Sequence, residues 1–264
     1  MSADNQDIIL GVVGVGLMGR GIAQIAAQAG TPIILYDSRP GGACEARDAL
    51  AETFNSLAAR SKITAQAAKA ATGRLQVAVS LEDLRPCTVV VEAIFENLEA
   101  KQQVFRELEV IVSQDCILAT NTSSLSITSI AAALAKPERV AGFHFFSPVP
   151  LMKIVEVIPG PLTNEKVVET LTALTTRMGH TPVRASDTPG FIINHAGRGY
   201  VTEGLRILGE TVAPHAEIDR VLKQAAGFRL GPFELLDMMG LDVSQLVMES
   251  IYDQYYQEPR FRPS

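Results

Sequence analysis

The sequence predicts an α/β fold, a mostly parallel sheet covered by helices, followed by an all-helical segment. Three observations predict it. As far as Ser186, apolar runs of strand length alternate with segments of helical period, the pattern of crossovers in a parallel sheet. A glycine-rich stretch, "GVGLMG" at 14–19, separates the first apolar run from the first helical segment. From Pro189 onward the spacing is helical and no convincing strand appears.

Ile8 to Val13 reads as a buried strand, Leu17 to Ala29 as a helix stopped by Gly30, and Pro32 to Tyr36 as a second strand ending at Asp37. Alanine-rich segments from Cys44 to Thr72 carry helix propensity. Strands are expected at Leu75–Val79, Thr88–Ile94, Cys116–Thr120 and Arg139–Phe145, with a helix from Leu98 to Ser113. After "MKIVEVIPG" (152–160) come a helix from Asn164 to Met178 and one more strand. "ASDTPG", 185–190, marks the expected boundary between domains 1–186 and 187–264. Beyond it, helices are expected at 189–210, 215–226 and 231–256.

The chain has 264 residues, 47% of them hydrophobic, enough for one large core or two modest ones. A formal net charge of −6 without a Lys/Arg cluster argues against nucleic acid or an anionic membrane as partner. Cys44, Cys87 and Cys116 are scattered and odd in number, so neither a disulfide framework nor a metal site is expected. The polar N-terminus and the absence of a long apolar run lead to the expectation of a cytoplasmic protein.

Gly14, Gly16 and Gly19 follow a strand and open a helix. In that context the first can make the turn, the second admit a pyrophosphate and the third let helix and strand pack closely, with the helix N-terminus facing the phosphates. Asp37, 18 residues beyond Gly19, is placed to accept from the hydroxyls of an adenosine ribose and to repel a 2′-phosphate, which favours NAD. A tight strand-to-helix turn with a solvated aspartate is the plainer alternative, and Arg39 is a residue that could receive the 2′-phosphate of NADP.

His144 lies amid Phe143, Phe145 and Phe146, and Glu156 within the run Ile154 to Ile158. Each is costly to bury alone. The turn-forming "SPVP" between them would fold one segment back on the other, so that the two could pair and make a general base. Taken singly, a satisfied core histidine and an exposed edge-strand carboxylate are the alternatives. "TNTSSLSIT", 120–128, puts hydroxyls just beyond a strand, where ligand crevices form in open parallel sheets; Ser123 or Ser124 could equally cap the next helix.

These residues carry a family likeness. "GVGLMGRGIAQ", "VVEAIFENLEAK", "NTSSLSIT", "GFHFFSPVPLMKIVEVI", "DTPGFIINH" and "LGPFELLDMMGLD" occur in the order and spacing of the L-3-hydroxyacyl-CoA dehydrogenases, which the chain resembles from about Ile8 onward. The resemblance implies a Rossmann-type domain, a helical dimerisation domain, and NAD-dependent oxidation of L-3-hydroxyacyl-CoA in fatty acid β-oxidation. It implies that His144 is the catalytic base, Glu156 its orienting partner, and Ser123 and Asn194 the residues that position the hydroxyl. Cofactor contacts are implied at Gly14, Gly16, Leu17, Met18, Gly19, Asp37, Glu96, Lys101 and Ser123. Thr53 and Arg60 fall where relatives contact coenzyme A with Ser and Lys. Ser147 replaces the Asn of "HFFNP" at a nicotinamide-side position. A same-fold dehydrogenase of a hydroxy sugar acid, or a silent dinucleotide-binding protein, are the competing functions.

Relatives continue past the position of Ser264, so the helical domain is expected to be incomplete. Leu241, Leu246, Val247, Ile251 and Tyr255 form a helical face that asks for an apolar partner, and "QEPRFRPS" with its lone Phe261 is expected not to cover it. A homodimer through the helical domain is the expected consequence.

Overall fold

A computed structural model describes residues 8–264. Residue contacts divide the chain into two units, one running to Thr122 and again over Ser126–Asp187, the other made of Ser123–Leu125 and Thr188–Ser264.

The first unit holds β1 (Leu10–Val13), α1 (Leu17–Gln28), β2 (Ile33–Tyr36), α2 (Gly42–Ala59), α3 (Ala65–Gly73), β3 (Leu75–Val77), β4 (Val89–Glu92), α4 (Leu98–Ile111) and β5 (Ile117–Thr120). It continues with α5 (Ile127–Ala131), β6 (Val140–Phe145), β7 (Ile154–Pro159), α6 (Glu165–Arg177) and β8 (Thr181–Arg184). The eight strands form one sheet in the order β3-β2-β1-β4-β5-β6-β7-β8. The pairs from β3 to β6 are parallel, β7 runs antiparallel to β6, and β8 is parallel to β7. This is the α/β, mostly parallel Rossmann-type sheet expected, and the order reverses between β1 and β4, where such sheets place a ligand crevice.

The central strands β1, β4, β5 and β6 are short and buried along their length, as strands covered by helices on both faces are. Leu10, Val12, Ile22, Leu35, Phe54, Val91, Phe143 and Phe145 sit at the centre of the core, each contributing about 1.5–3 kcal/mol by leaving water. The alanine-rich stretch folds as two helices, because Ser61, at φ +54°, turns the chain between them. The helix after "TNTSS" is capped by Ser126, whose Oγ accepts from the N–H of Ser129, and not by Ser123 or Ser124.

The second unit is helical: α7 (Ile193–Ala196), α8 (Arg198–Gly209), α9 (His215–Ala226), α10 (Pro232–Met239) and α11 (Leu241–Gln254). The helix expected over 231–256 is broken at Gly240, whose φ of +91° lies outside the helical region. The expectation for the tail also needs correction. Phe261 is buried and stacks on Tyr255 with ring centroids 4.4 Å apart, while the Tyr255 hydroxyl meets His195 Nδ1 at 2.8 Å. Aromatic stacking thus covers the last turn of α11 with the chain's own tail. Leu241 and Leu246, at the other end of the helix, stay exposed.

Candidate active site

The glycine loop is built for close approach. Gly14 turns the chain at φ +86°, and a Cβ there would lie 2.8 Å from the Ala93 carbonyl oxygen at the end of β4. A Cβ on Gly19 would come within 1.9 Å of the Gly14 carbonyl oxygen, so helix and loop meet backbone to backbone. A Cβ on Gly16 would touch nothing within 4 Å; the space beside this residue is open. The first turn of α1 carries no acidic side chain, so its N–H groups and positive dipole end remain available to a diphosphate. Leu17 and Met18 form that turn, with Leu17 68% exposed.

Asp37 is oriented by the same loop, accepting from Val15 N–H at 3.0 Å through Oδ2 and from Arg39 N–H at 2.9 Å through Oδ1. Arg39 turns its guanidinium to Glu45, at 3.0 and 2.6 Å, in an ion pair open to solvent. The residues fit a dinucleotide with a free ribose 2′-hydroxyl.

At the end of β4 a polar trio emerges that the sequence reading took only in part. Lys101 is 1% exposed, and its ammonium lies 2.6 Å from Glu92 Oε1 and 3.3 Å from Glu96 Oε2. Glu92 further accepts from Thr120 Oγ1 at 2.7 Å and from Ile94 N–H at 2.7 Å, and Glu96 accepts from Thr122 Oγ1. Lys101 therefore acts from within, holding Glu96 at the surface. Glu92 was missed, although an acid ending the apolar run "TVVVE" was the available signal.

His144 and Glu156 are register partners across the antiparallel pair β6 and β7. Nδ1 lies 2.6 Å from Glu156 Oε2, both side chains are buried, and the ring meets the edge of Phe146 at 4.6 Å between centroids. An ionised carboxylate can only accept, so Nδ1 carries the proton it donates. The pair inferred from "GFHFFSPVPLMKIVEVI" is thus a physical contact, produced by consecutive strands folding back on each other.

Thr53 and Ser147 line one cleft of about 430 Å³ with Leu17, Met18 and Arg20. Thr53 Oγ1 donates to the Ala49 carbonyl, within its own helix. Arg60 is exposed at the C-terminal end of α2, two turns beyond Thr53 and outside this cleft. A larger cleft of about 640 Å³ lies under the N-terminal ends of the strands, lined by Cys87, Cys116, Lys136 and Arg139, and contains none of the expected residues. Burial pushes the Cys87 and Cys116 thiols there up to about 12, so neither is a nucleophile. In the helical unit, Asn194 donates from Nδ2 to the Ser123 carbonyl at 3.2 Å, bringing these two expected residues together. Among the described residues, no group of three or more His, Cys, Asp or Glu side chains could hold a metal ion, and no helix is long and apolar enough to cross a membrane.

Residues 9–188 match the family model of the 3-hydroxyacyl-CoA dehydrogenase NAD binding domain, and 190–264 that of the 3-hydroxyacyl-CoA dehydrogenase C-terminal domain. The chain belongs to the 3-hydroxyacyl-CoA dehydrogenase family. Among its relatives is the 3-hydroxyadipyl-CoA dehydrogenase of Escherichia coli, 44% identical over 96% of this chain and 53% of that protein. Another is the mitochondrial hydroxyacyl-coenzyme A dehydrogenase of Sus scrofa, 39% identical over 96% of this chain and 82% of that protein. A crystal structure of 3-hydroxybutyryl-CoA dehydrogenase from Escherichia coli superposes with a TM-score of 0.95 at 43% identity, covering 97% of this chain and 54% of that one. This dehydrogenase-family chain therefore spans about half the length of the two Escherichia coli proteins and four fifths of the pig enzyme. Its glycine cradle and Asp37 belong to the domain that in this family binds NAD.

Proposed function

We propose that this chain catalyses the reversible, NAD-dependent oxidation of an L-3-hydroxyacyl-CoA to the 3-oxoacyl-CoA, with His144 as general base. The observation that carries the proposal is the buried 2.6 Å contact between His144 Nδ1 and Glu156 in a sheet whose other crevice residues fit a dinucleotide. Because Nδ1–H is committed to the carboxylate, the proton of the substrate hydroxyl goes to Nε2, and Glu156 stabilises the imidazolium that results. NAD, held by Gly14, Gly16, Gly19, the α1 N-terminus and Asp37, supplies the acceptor for the hydride leaving C3. Asn194, with Ser123, steadies the oxygen as it becomes a carbonyl. Thr53 and Arg60 are assigned to the coenzyme A portion, and Ser147 to the cofactor side of its cleft.

The family match and the names of its relatives support this reading over a sugar-acid dehydrogenase or a silent binding protein. The relatives' names leave the acyl end open, one being named for a hydroxyadipyl group, one for a hydroxybutyryl group and one for hydroxyacyl groups at large. A cytoplasmic homodimer serving fatty acid β-oxidation is the setting we assign. The deciding assay follows NADH consumption with acetoacetyl-CoA. Turnover that vanishes in His144→Asn is expected, and a wild-type protein that binds NADH but never oxidises it would remove the proposal.

A further inference from the structure

The cleft between α1 and α2 holds a cation that nothing on its walls balances. Leu17, Arg20 and Gln24, spaced on one face of α1, form one wall, Leu50 and Thr53 of α2 another, and residues 147–151 close the third side. Gly21 lets that last segment lie against the helix, since a Cβ there would fall 2.7 Å from the Val149 Cβ. The space, about 430 Å³, has the size of a small-molecule site, and Leu17 and Leu151 at its edge are 68% and 73% exposed. Arg20 is the one charged side chain that lines it; no carboxylate does. Among the described residues the half-buried Arg20 side chain enters no hydrogen bond or ion pair. A guanidinium keeps its proton in a protein, so the cleft pairs apolar walls with a permanent, uncompensated positive charge.

The walls say which anion it awaits. Gly14, Gly16 and Asp37, the cradle of the dinucleotide, do not line this cleft. Its third side instead continues the strand of the base, with Ser147 and Val149 following His144 by three and five residues. The second substrate is the one that can enter here, and the anionic part of an acyl-CoA is its phosphorylated nucleotide end. Thr53 cannot donate to a phosphate, because its hydroxyl proton goes to the Ala49 carbonyl at 2.9 Å and only lone pairs remain. Arg60 is exposed, lies outside the cleft and sits at the carbonyl end of α2, the pole of a helix that disfavours an anion. The cation left for a phosphate in the cleft is Arg20, whose planar fork matches phosphate oxygens in bidentate geometry.

We propose that Arg20 is a substrate-binding residue that receives a phosphate of the coenzyme A moiety, while Thr53 accepts from a hydroxyl or amino group of the same nucleotide. This rests on the dehydrogenase reading above and adds to it the side chain that holds the far end of the thioester. The 3′-phosphate and the diphosphate of coenzyme A share the chemistry that Arg20 recognises, as does the diphosphate of NAD, and the choice of substrates separates the three.

The test gives the full chain acetoacetyl-CoA, acetoacetyl-dephospho-CoA, which lacks the 3′-phosphate, and acetoacetyl-pantetheine, which lacks every phosphate. Arg20→Met is expected to raise KM for acetoacetyl-CoA about tenfold with little change in kcat, and Arg20→Lys to recover part of the loss. KM for the pantetheine thioester and the NADH dissociation constant, read by fluorescence titration, should stay near wild type. With acetoacetyl-dephospho-CoA, a loss as large as with acetoacetyl-CoA assigns Arg20 to the diphosphate and no loss assigns it to the 3′-phosphate; either upholds the proposal. A KM for acetoacetyl-CoA that does not rise, or that rises no more than KM for the pantetheine thioester, overturns it. So does a loss confined to NADH affinity, which gives the cation to the dinucleotide. Thermal melts screen for folding, and Arg20→Gln replaces an Arg20→Met that fails to fold. These outcomes leave the dehydrogenase reading standing, whereas a wild-type protein that binds NADH and reduces none of the thioesters removes that reading and this proposal with it.

Discussion

Glu156 sits opposite His144 in the β6–β7 register, and its Oε2 lies 2.6 Å from the imidazole Nδ1. Replacing the base should therefore separate chemistry from binding: His144→Asn is expected to lose about 10²–10⁴-fold in kcat while NADH affinity, measured by fluorescence titration, stays near wild type. Glu156→Gln removes the charge partner but keeps the shape, so turnover should fall and the shape of its pH profile change; an unaltered profile would take the pair out of the mechanism. Lys101 makes a different prediction. Its ammonium balances Glu92, which is fully buried, so Lys101→Met leaves a carboxylate uncompensated and should cost about 3–5 kcal/mol in denaturant unfolding. Lys101→Met combined with Glu92→Gln should recover much of that loss, because the buried charge goes with its partner.

At the scale of elements, what the sequence disclosed and what it hid differ by the range of the signal. The strand-helix-strand opening was legible because periodicity, glycines and Asp37 all lie within one short stretch, and the sheet places them as a working unit. The His144–Glu156 contact was legible because two buried charges and a turn between them leave few arrangements. The Asp187 latch was not. Its carboxylate accepts from Ile127 N–H at 2.8 Å and Thr128 N–H at 2.7 Å, about sixty positions away in sequence, and nothing local announces it. The break at Gly240 was missed because one glycine barely dents helical periodicity. For the glycine loop the structure sets a sharp expectation. Gly19→Ala puts a Cβ 1.9 Å from a backbone oxygen that cannot step aside, so NADH binding and thermal stability should both drop, while Gly73→Ala, at the end of α3 with open space and no positive φ, should leave both near wild type. Asp37, just past β2, accepts from Val15 of that loop; comparable kcat/KM with NADPH and NADH would contradict its assigned role and return Arg39 to consideration.

For the molecule as a whole, the unsettled surface is that of the helical unit. Met238 and Met239 at the end of α10, and Leu241, Val243 and Leu246 on α11, are each more than 40% exposed, as are Val221 and Phe228. Single exposed apolar residues are ordinary, but this many on consecutive helices exceeds what a soluble monomer usually presents to water. The tail covers only the far end of α11, through Phe261 on Tyr255, so it does not account for the rest. A second copy of the chain is the occupant we assign, since a two-fold interface buries the same apolar helix on both partners at once. Sedimentation should then report about twice the 28.3 kDa chain mass at micromolar concentration. The double substitution Leu241→Glu and Leu246→Glu should shift it toward the monomer, because each dimer would bring four carboxylates into an apolar contact. If the wild-type chain sediments as a monomer with full turnover, the helical face has no need of a second subunit and the dimer assignment is wrong.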